Sequence, residues 1–182
     1  MQRFHDERSG KSKVVTVRTA PRDRRRAIVT FGGITIPAAL GRSGTSPLKR
    51  EGDGATPIAS MRLLHGFVRG ERVRLPQTPL PIRRIAKDML WCDQPNHPAY
   101  NRLVKAPFRP SHEEMQREDG LYDICLVLDW NITSRKRNGG SAIFFHLIKP
   151  GYQPTAGCIA VDLRDMKRLI GFLRKGTVVR VL

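Results

Sequence analysis

Apolar and polar residues alternate in short runs along most of this chain, and a period of two predicts strands rather than helices. KVVTVRT (residues 13–19) alternates as a half-buried strand. AIVTF (27–31), Gly32-Gly33 and ITIPAAL (34–40) read as a hairpin with a two-glycine turn. Pro37 has no amide donor, which sets that second strand at an edge or a bulge. IASMRLLHGFVRG (58–70) is a further strand in which His65 is structural. LYDICLVLDWN (121–131) is an almost continuous apolar run, the mark of a central strand, with Cys125 an inert buried thiol. SAIFFHLI (141–148) and the closing TVVRVL (177–182) complete a set of about eight strands.

Helical signals are few. Asp162 is an N-cap candidate, Leu163, Met166, Leu169, Ile170 and Leu173 form an apolar stripe, and Gly176 is a natural stop. SHEEMQRE (111–118) has Ser111 and Glu114 in capping-box spacing and predicts a second, short helix. Between these elements lie a polar Gly/Ser/Pro-rich loop (41–57) and a proline-spaced extended segment (73–85). WCDQPNHPAYNRLV (91–104) mixes aromatic, polar and turn residues as a loop folded over a site would. A basic turn, SRKRNGG, spans 134–140. The pattern predicts a mainly β domain, a sandwich of mixed sheets or partly closed barrel, with one C-terminal helix and short extra helices.

Composition narrows the function classes. At 182 residues with 40% hydrophobic, the chain holds one domain, residues 13–182, behind a disordered basic lead at residues 1–12. The formal charge of +17 implies an anionic partner, although Arg22 to Arg26 reads as a solvated turn. Nucleic acid is not expected, because aromatics are only 7% and do not interleave with the basic runs as stacking platforms. No apolar run is long enough for a transmembrane segment, and MQRFHDERSGKSK carries no export-type apolar core. Cys92, Cys125 and Cys158 show no zinc spacing and no phosphate-binding glycine loop is present, so no structural metal site is expected.

The chemistry concentrates in SAIFFHLIKPGYQPTAGCIAV (141–161). An apolar strand delivers His146, a Pro/Gly/Thr loop follows, and apolar sequence resumes at Cys158. A thiol and an imidazole at opposite ends of one loop suit acyl transfer through a thioester, with a resting thiolate held by the histidine. Gly157 lets the turn before the cysteine take unusual backbone angles, and successive N–H groups there can receive a tetrahedral oxyanion.

This stretch resembles the active-site segment of the L,D-transpeptidase (YkuD-type) catalytic domain, in which a histidine strand is followed by a loop and an [ST]-x-G-C motif. ALGRSG (39–44) and GDGATP (52–57) resemble that family's strand-end glycine segment and its GDGxTP loop, so the likeness runs from about residue 13 to residue 182. The resemblance implies an L,D-transpeptidase-like fold with Cys158 as nucleophile and His146 as base. It also implies an oxyanion site at the backbone of Gly157 and Cys158, the Leu147 carbonyl orienting the imidazole, and Thr155 at the motif's hydroxyl position. Ala156 and Ala160 replace a second histidine and a polar residue of the commoner form. Tyr100 and Asn101 are the candidates to replace the missing substrate contacts.

The implied substrate is the peptidoglycan stem tetrapeptide, and the implied chemistry needs no metal and no organic cofactor. Cys158 would form the thioester, expel D-alanine and pass the acyl group to an amine, and a carbapenem would acylate the same thiol. Stem peptides carry carboxylates, which suits a basic protein. That substrate implies the periplasm or cell envelope, whereas the N-terminal composition fits a cytoplasmic chain. The alternatives are an L,D-carboxypeptidase or endopeptidase hydrolysing the same bonds, and a non-enzymatic basic module that binds nucleic acid or an anionic polymer.

Overall fold

The computed structural model describes residues 14–182, and the disordered lead expected at 1–12 lies outside them. Its strands are β1 (Val14–Ala20), β2 (Asp23–Phe31), β3 (Ile34–Ala39), β4 (Thr45–Ser46), β5 (Thr56–Pro57), β6 (Ser60–Val68) and β7 (Ile82–Arg84). There follow β8 (Met89–Cys92), β9 (Arg102–Lys105), β10 (His112–Glu114), β11 (Ile124–Leu128), β12 (Phe144–Leu147), β13 (Ile159–Val161), helix α1 (Leu163–Ile170) and β14 (Val178–Val181).

Nine strands form one mixed sheet in the order β11-β12-β13-β3-β2-β1-β14-β6-β7. β6 also pairs with β11, so the sheet curls back and closes a ring. Side chains alternate between the ring's two faces. Val15, Val17, Val29, Ile36, Leu126, Phe145, Ile159 and Val179 build an inner core, to which α1 adds Met166, Leu169 and Ile170. The residues between them in β6, β11 and β12, including Phe67, Cys125, Val127 and Phe144, face the other way. There they meet Met89, Trp91 and Met115 of a second layer. That layer is a small sheet, β10-β8-β9. Burial on both faces explains why ICLVL and FFHL lack polar alternation. Each large apolar side chain so buried contributes about 1.5–3 kcal/mol.

Several expectations need correction. Residues 111–118 contain no helix: His112–Glu114 is a strand paired antiparallel with β8, Glu113 opposite Trp91. Within that stretch only Met115 is buried, so a helix would have no apolar face, whereas β8 supplies ladder hydrogen bonds. Apart from α1, helical structure among the described residues is the short 3-10 turn Pro150–Tyr152. α1 is capped by Asp162, whose side chain accepts the Arg164 N–H, but it ends at Ile170, well before Gly176. Leu173 is buried from the turn that follows. Arg24 to Arg26 stand on β2 rather than in a turn. Pro37 lies on a stretch of β3 that β13 does not cover, since those two strands meet only at Ala39 and Ala160.

Candidate active site

β12 runs parallel to β13, with Phe145 opposite Ile159 and His146 opposite Ala160. Extending that register by one residue sets Cys158 beside Phe144. Phe144, His146, Cys158 and Ala160 therefore share the outer face, with Cys158 and His146 as diagonal neighbours on adjacent strands. Both line a cleft of about 430 Å³ between the ring and the small sheet. Its charged lining is mixed, with Arg42, Lys49, Arg117 and Lys149 among the cations and Glu51, Asp93 and Glu113 among the acids.

The thiol is 7% exposed. It donates to the Ala142 carbonyl at 3.1 Å and accepts the Phe144 N–H at 3.4 Å. Burial pushes the Cys158 thiol up to about 12, and nearby Glu113 adds to that, while the Phe144 N–H and the charge of Lys49 pull it down. His146 is buried as well, and its Nδ1 meets the Leu147 carbonyl at 2.7 Å. A carbonyl only accepts, so Nδ1 carries the proton and Nε2 keeps its lone pair. Burial lowers the His146 pKa to about 4 against the opposing pull of that carbonyl. The ground state is thus a neutral thiol beside a neutral imidazole, and burial disfavours the resting ion pair expected from the sequence.

Around the imidazole, the Tyr122 ring stands edge-on at 5.2 Å. Its hydroxyl bonds Glu113, and the Arg117 guanidinium lies 5.1 Å over its face. Burial raises the pKa of the Glu113 carboxyl. Among the described residues, Asp93 Oδ1 is buried without a hydrogen-bond partner.

The turn before Cys158 is closed by Thr155. Its Oγ1 donates to the Cys158 carbonyl at 2.8 Å and accepts the Gly157 N–H at 3.1 Å. Gly157 has φ +143, and a Cβ there would stand 2.9 Å from the Ala55 carbonyl, so only glycine fits. Leu40 and loop 41–57 grip this turn by backbone bonds, Arg42 N–H to Thr155 O and Thr155 N–H to Leu40 O, each at 2.8 Å.

Tyr100 and Asn101 do not line the cleft. They are 2% and 1% exposed and lie behind its wall. Tyr100 bonds Glu51 through its hydroxyl. Asn101 Oδ1 accepts from Trp91 Nε1 and from Ala142 N, both at 3.0 Å, and its Nδ2 donates to the Trp130 carbonyl. Of segment 91–101, Asp93 reaches the cleft, while loop 41–57 contributes Arg42, Lys49, Glu51 and Gly52. The sequence did not single out Lys49, Glu113, Arg117 or Tyr122. The Lys49–Asp53 spacing was the one available signal for the first of these.

A family model described as the L,D-transpeptidase catalytic domain (YkuD) matches residues 13–181. No curated protein matches the chain. The crystal structure of Mycobacterium tuberculosis L,D-transpeptidase 1 is similar at 12% identity with a TM-score of 0.40, over 92% of this chain and 61% of that one. This chain therefore spans about three-fifths of that protein's length. On the match across nearly its whole length, the chain belongs to the L,D-transpeptidase (YkuD) catalytic-domain family.

Proposed function

We propose that this protein is a cysteine-dependent L,D-transpeptidase acting on peptidoglycan stem tetrapeptides, and hence at work in the cell envelope. The supporting observation is the placement of Cys158 and His146 on one sheet face, side by side in a single charged cleft. His146 Nε2 accepts the thiol proton as the sulfur attacks the carbonyl of the diamino-acid residue. D-Alanine leaves with that proton, and the thioester passes its acyl group to an amine on another stem. General-base delivery suits two groups that burial keeps neutral at rest. Arg42, Arg117 and Lys149 supply positive charge for stem carboxylates. Tyr100 and Asn101 act from behind the cleft by fixing Glu51 and Ala142 rather than by touching substrate.

The test is release of D-alanine from a disaccharide-tetrapeptide, with intact mass after carbapenem treatment alongside. Wild type releases D-alanine and gains one covalent adduct, and Cys158→Ala does neither while keeping its fold. Wild type without turnover and without adduct would sink the assignment.

A further inference from the structure

A tetrahedral intermediate at Cys158 needs donors aimed at its oxygen, and an effective oxyanion site supplies two or more. In this turn the Gly157 N–H is already committed to Thr155 Oγ1 at 3.1 Å. The Cys158 N–H has no acceptor among the described residues and is free for the task. One backbone donor remains where two were expected.

Lys49 stands beside that gap. Its side chain is 3% exposed, and its Nζ donates to Asp53 Oδ1 at 2.5 Å and to the Arg50 carbonyl at 2.7 Å. An ammonium has three donors, and the third has no partner among the described residues. Nζ lies 3.6 Å from the point where a Cβ on residue 157 would stand, and Lys49 lines the same cleft as Cys158 and Ala142. The backbone makes room for the lysine stem at Gly140. There, φ is +89 and a Cβ would come within 3.0 Å of Lys49 Cγ and Cε. Burying an ammonium is costly unless it is paired. Here Asp53 pairs it: burial raises the Asp53 pKa, but bonds from Lys49 Nζ, Arg50 N and Ala55 N outweigh that and hold it low.

We propose that the Lys49 ammonium is the second oxyanion donor of this enzyme, its third N–H converging with the Cys158 N–H on the developing negative oxygen. This rests on the transpeptidase assignment above. As Cys158 Sγ bonds to the substrate carbonyl carbon, the π pair moves onto oxygen and the thiol proton goes to His146 Nε2. Lys49 and Cys158 hold that oxygen by hydrogen bonds, and Lys49 transfers no proton. Collapse re-forms the C=O bond, breaks the C–N bond and returns the proton from His146 to the departing amine of D-alanine. A fixed, desolvated cation stabilises the charge only while it exists, so its effect belongs to kcat rather than to KM.

The experiment is steady-state D-alanine release by wild type, Lys49→Met, Lys49→Gln and Asp53→Asn, each checked for native fold by circular dichroism. Lys49→Met should lower kcat by about 100-fold with KM within about twofold. Lys49→Gln keeps an N–H for the Arg50 carbonyl and so protects the loop, yet should still lose at least about tenfold in kcat. Asp53→Asn removes the carboxylate that pairs the buried ammonium and should lower kcat as well, with KM within about twofold. A lysine that merely clasps the loop would leave kcat of the folded Lys49→Met protein at the wild-type value while lowering its melting temperature, and that result overturns the proposal. So does a Lys49→Gln enzyme with wild-type kcat. Either of these, with Cys158-dependent turnover intact, leaves the transpeptidase assignment standing. A wild type inactive on both the muropeptide and the carbapenem removes that assignment and this proposal together.

Discussion

Asn101 Oδ1 accepts the backbone N–H of Ala142 at 3.0 Å, and the carbonyl of that same Ala142 accepts the Cys158 thiol at 3.1 Å. Ala142 has φ +50, an uncommon conformation for a residue with a side chain, so something must hold it there. Asn101 does so from outside the cleft.

Replacing Asn101 by Ala removes partners from three groups at once, the Ala142 N–H, the Trp91 Nε1–H and the Trp130 carbonyl. Each buried group left unpaired costs about 1–3 kcal/mol. Urea unfolding of Asn101→Ala should show a loss of about 3 kcal/mol. Turnover of the folded fraction should also fall, because the thiol loses its fixed acceptor. Unchanged stability and rate would deny Asn101 this role.

The depressed His146 pKa makes stability depend on pH. Folded, the imidazole stays neutral down to about pH 4, whereas unfolded it takes a proton near its ordinary value of 6.5. Between those values the unfolded chain binds more protons, so stability rises with pH and is lost as pH falls from about 6.5 towards 4. The difference corresponds to about 3 kcal/mol. Chemical denaturation of wild type and His146→Gln at several pH values isolates it: the gap between the two proteins should widen steadily below pH 6.5 in the direction that disfavours wild type.

Cys158 should alkylate slowly at neutral pH despite lining a cleft. A thiol pushed up to about 12 is almost wholly protonated there. The iodoacetamide rate, followed by the mass of the peptide carrying Cys158, should climb roughly tenfold per pH unit from pH 7 to 10. A rate already level at pH 7 would show a preformed thiolate instead.

Gly157→Ala should destabilise the protein by at least about 2 kcal/mol. The added methyl meets the Ala55 carbonyl at 2.9 Å while φ sits at +143. Thermal unfolding reads this directly, and a shift near zero would mean that the turn relaxes without cost.

The strands were legible because burial on one or both faces leaves a pattern in the residues themselves, as ICLVL and the alternation of VVTVRTA do. The failure at residues 111–118 has the opposite origin. Ser111 and Glu114 carry a local helix-start signature, but the stretch lacks an apolar helical face, and pairing of Glu113 with Trp91 is decided by a strand about twenty residues earlier. Local propensity lost to a ladder that only the tertiary fold supplies.

For the candidate site, Cys158 and His146 stood out through residue type and the loop between them. Tyr100 and Asn101 have the chemistry of substrate contacts, yet both lie in the connection before β9, where bonds to Glu51, Trp91, Trp130 and Ala142 bury them in the wall. Lys49 is hidden in the sequence for a related reason. A lysine in a Gly/Ser/Pro loop reads as solvated, and its burial depends on Asp53 beside it and on the missing Cβ of Gly140 against its stem.

The ring of strands also has a temporal side. Val14–Val17 pair in parallel with Val178–Val181, so two strands far apart in sequence must meet before the ring closes. β12 and β13 sit in that same ring. Cys158 and His146 are set side by side by the direct β12–β13 pairing, across a short loop, whereas the ring that encloses them closes only through distant strands. Such high contact order means slow, late assembly. The pairing that holds Cys158 and His146 is thus local, while the ring around it is completed by the most distant contacts of the fold.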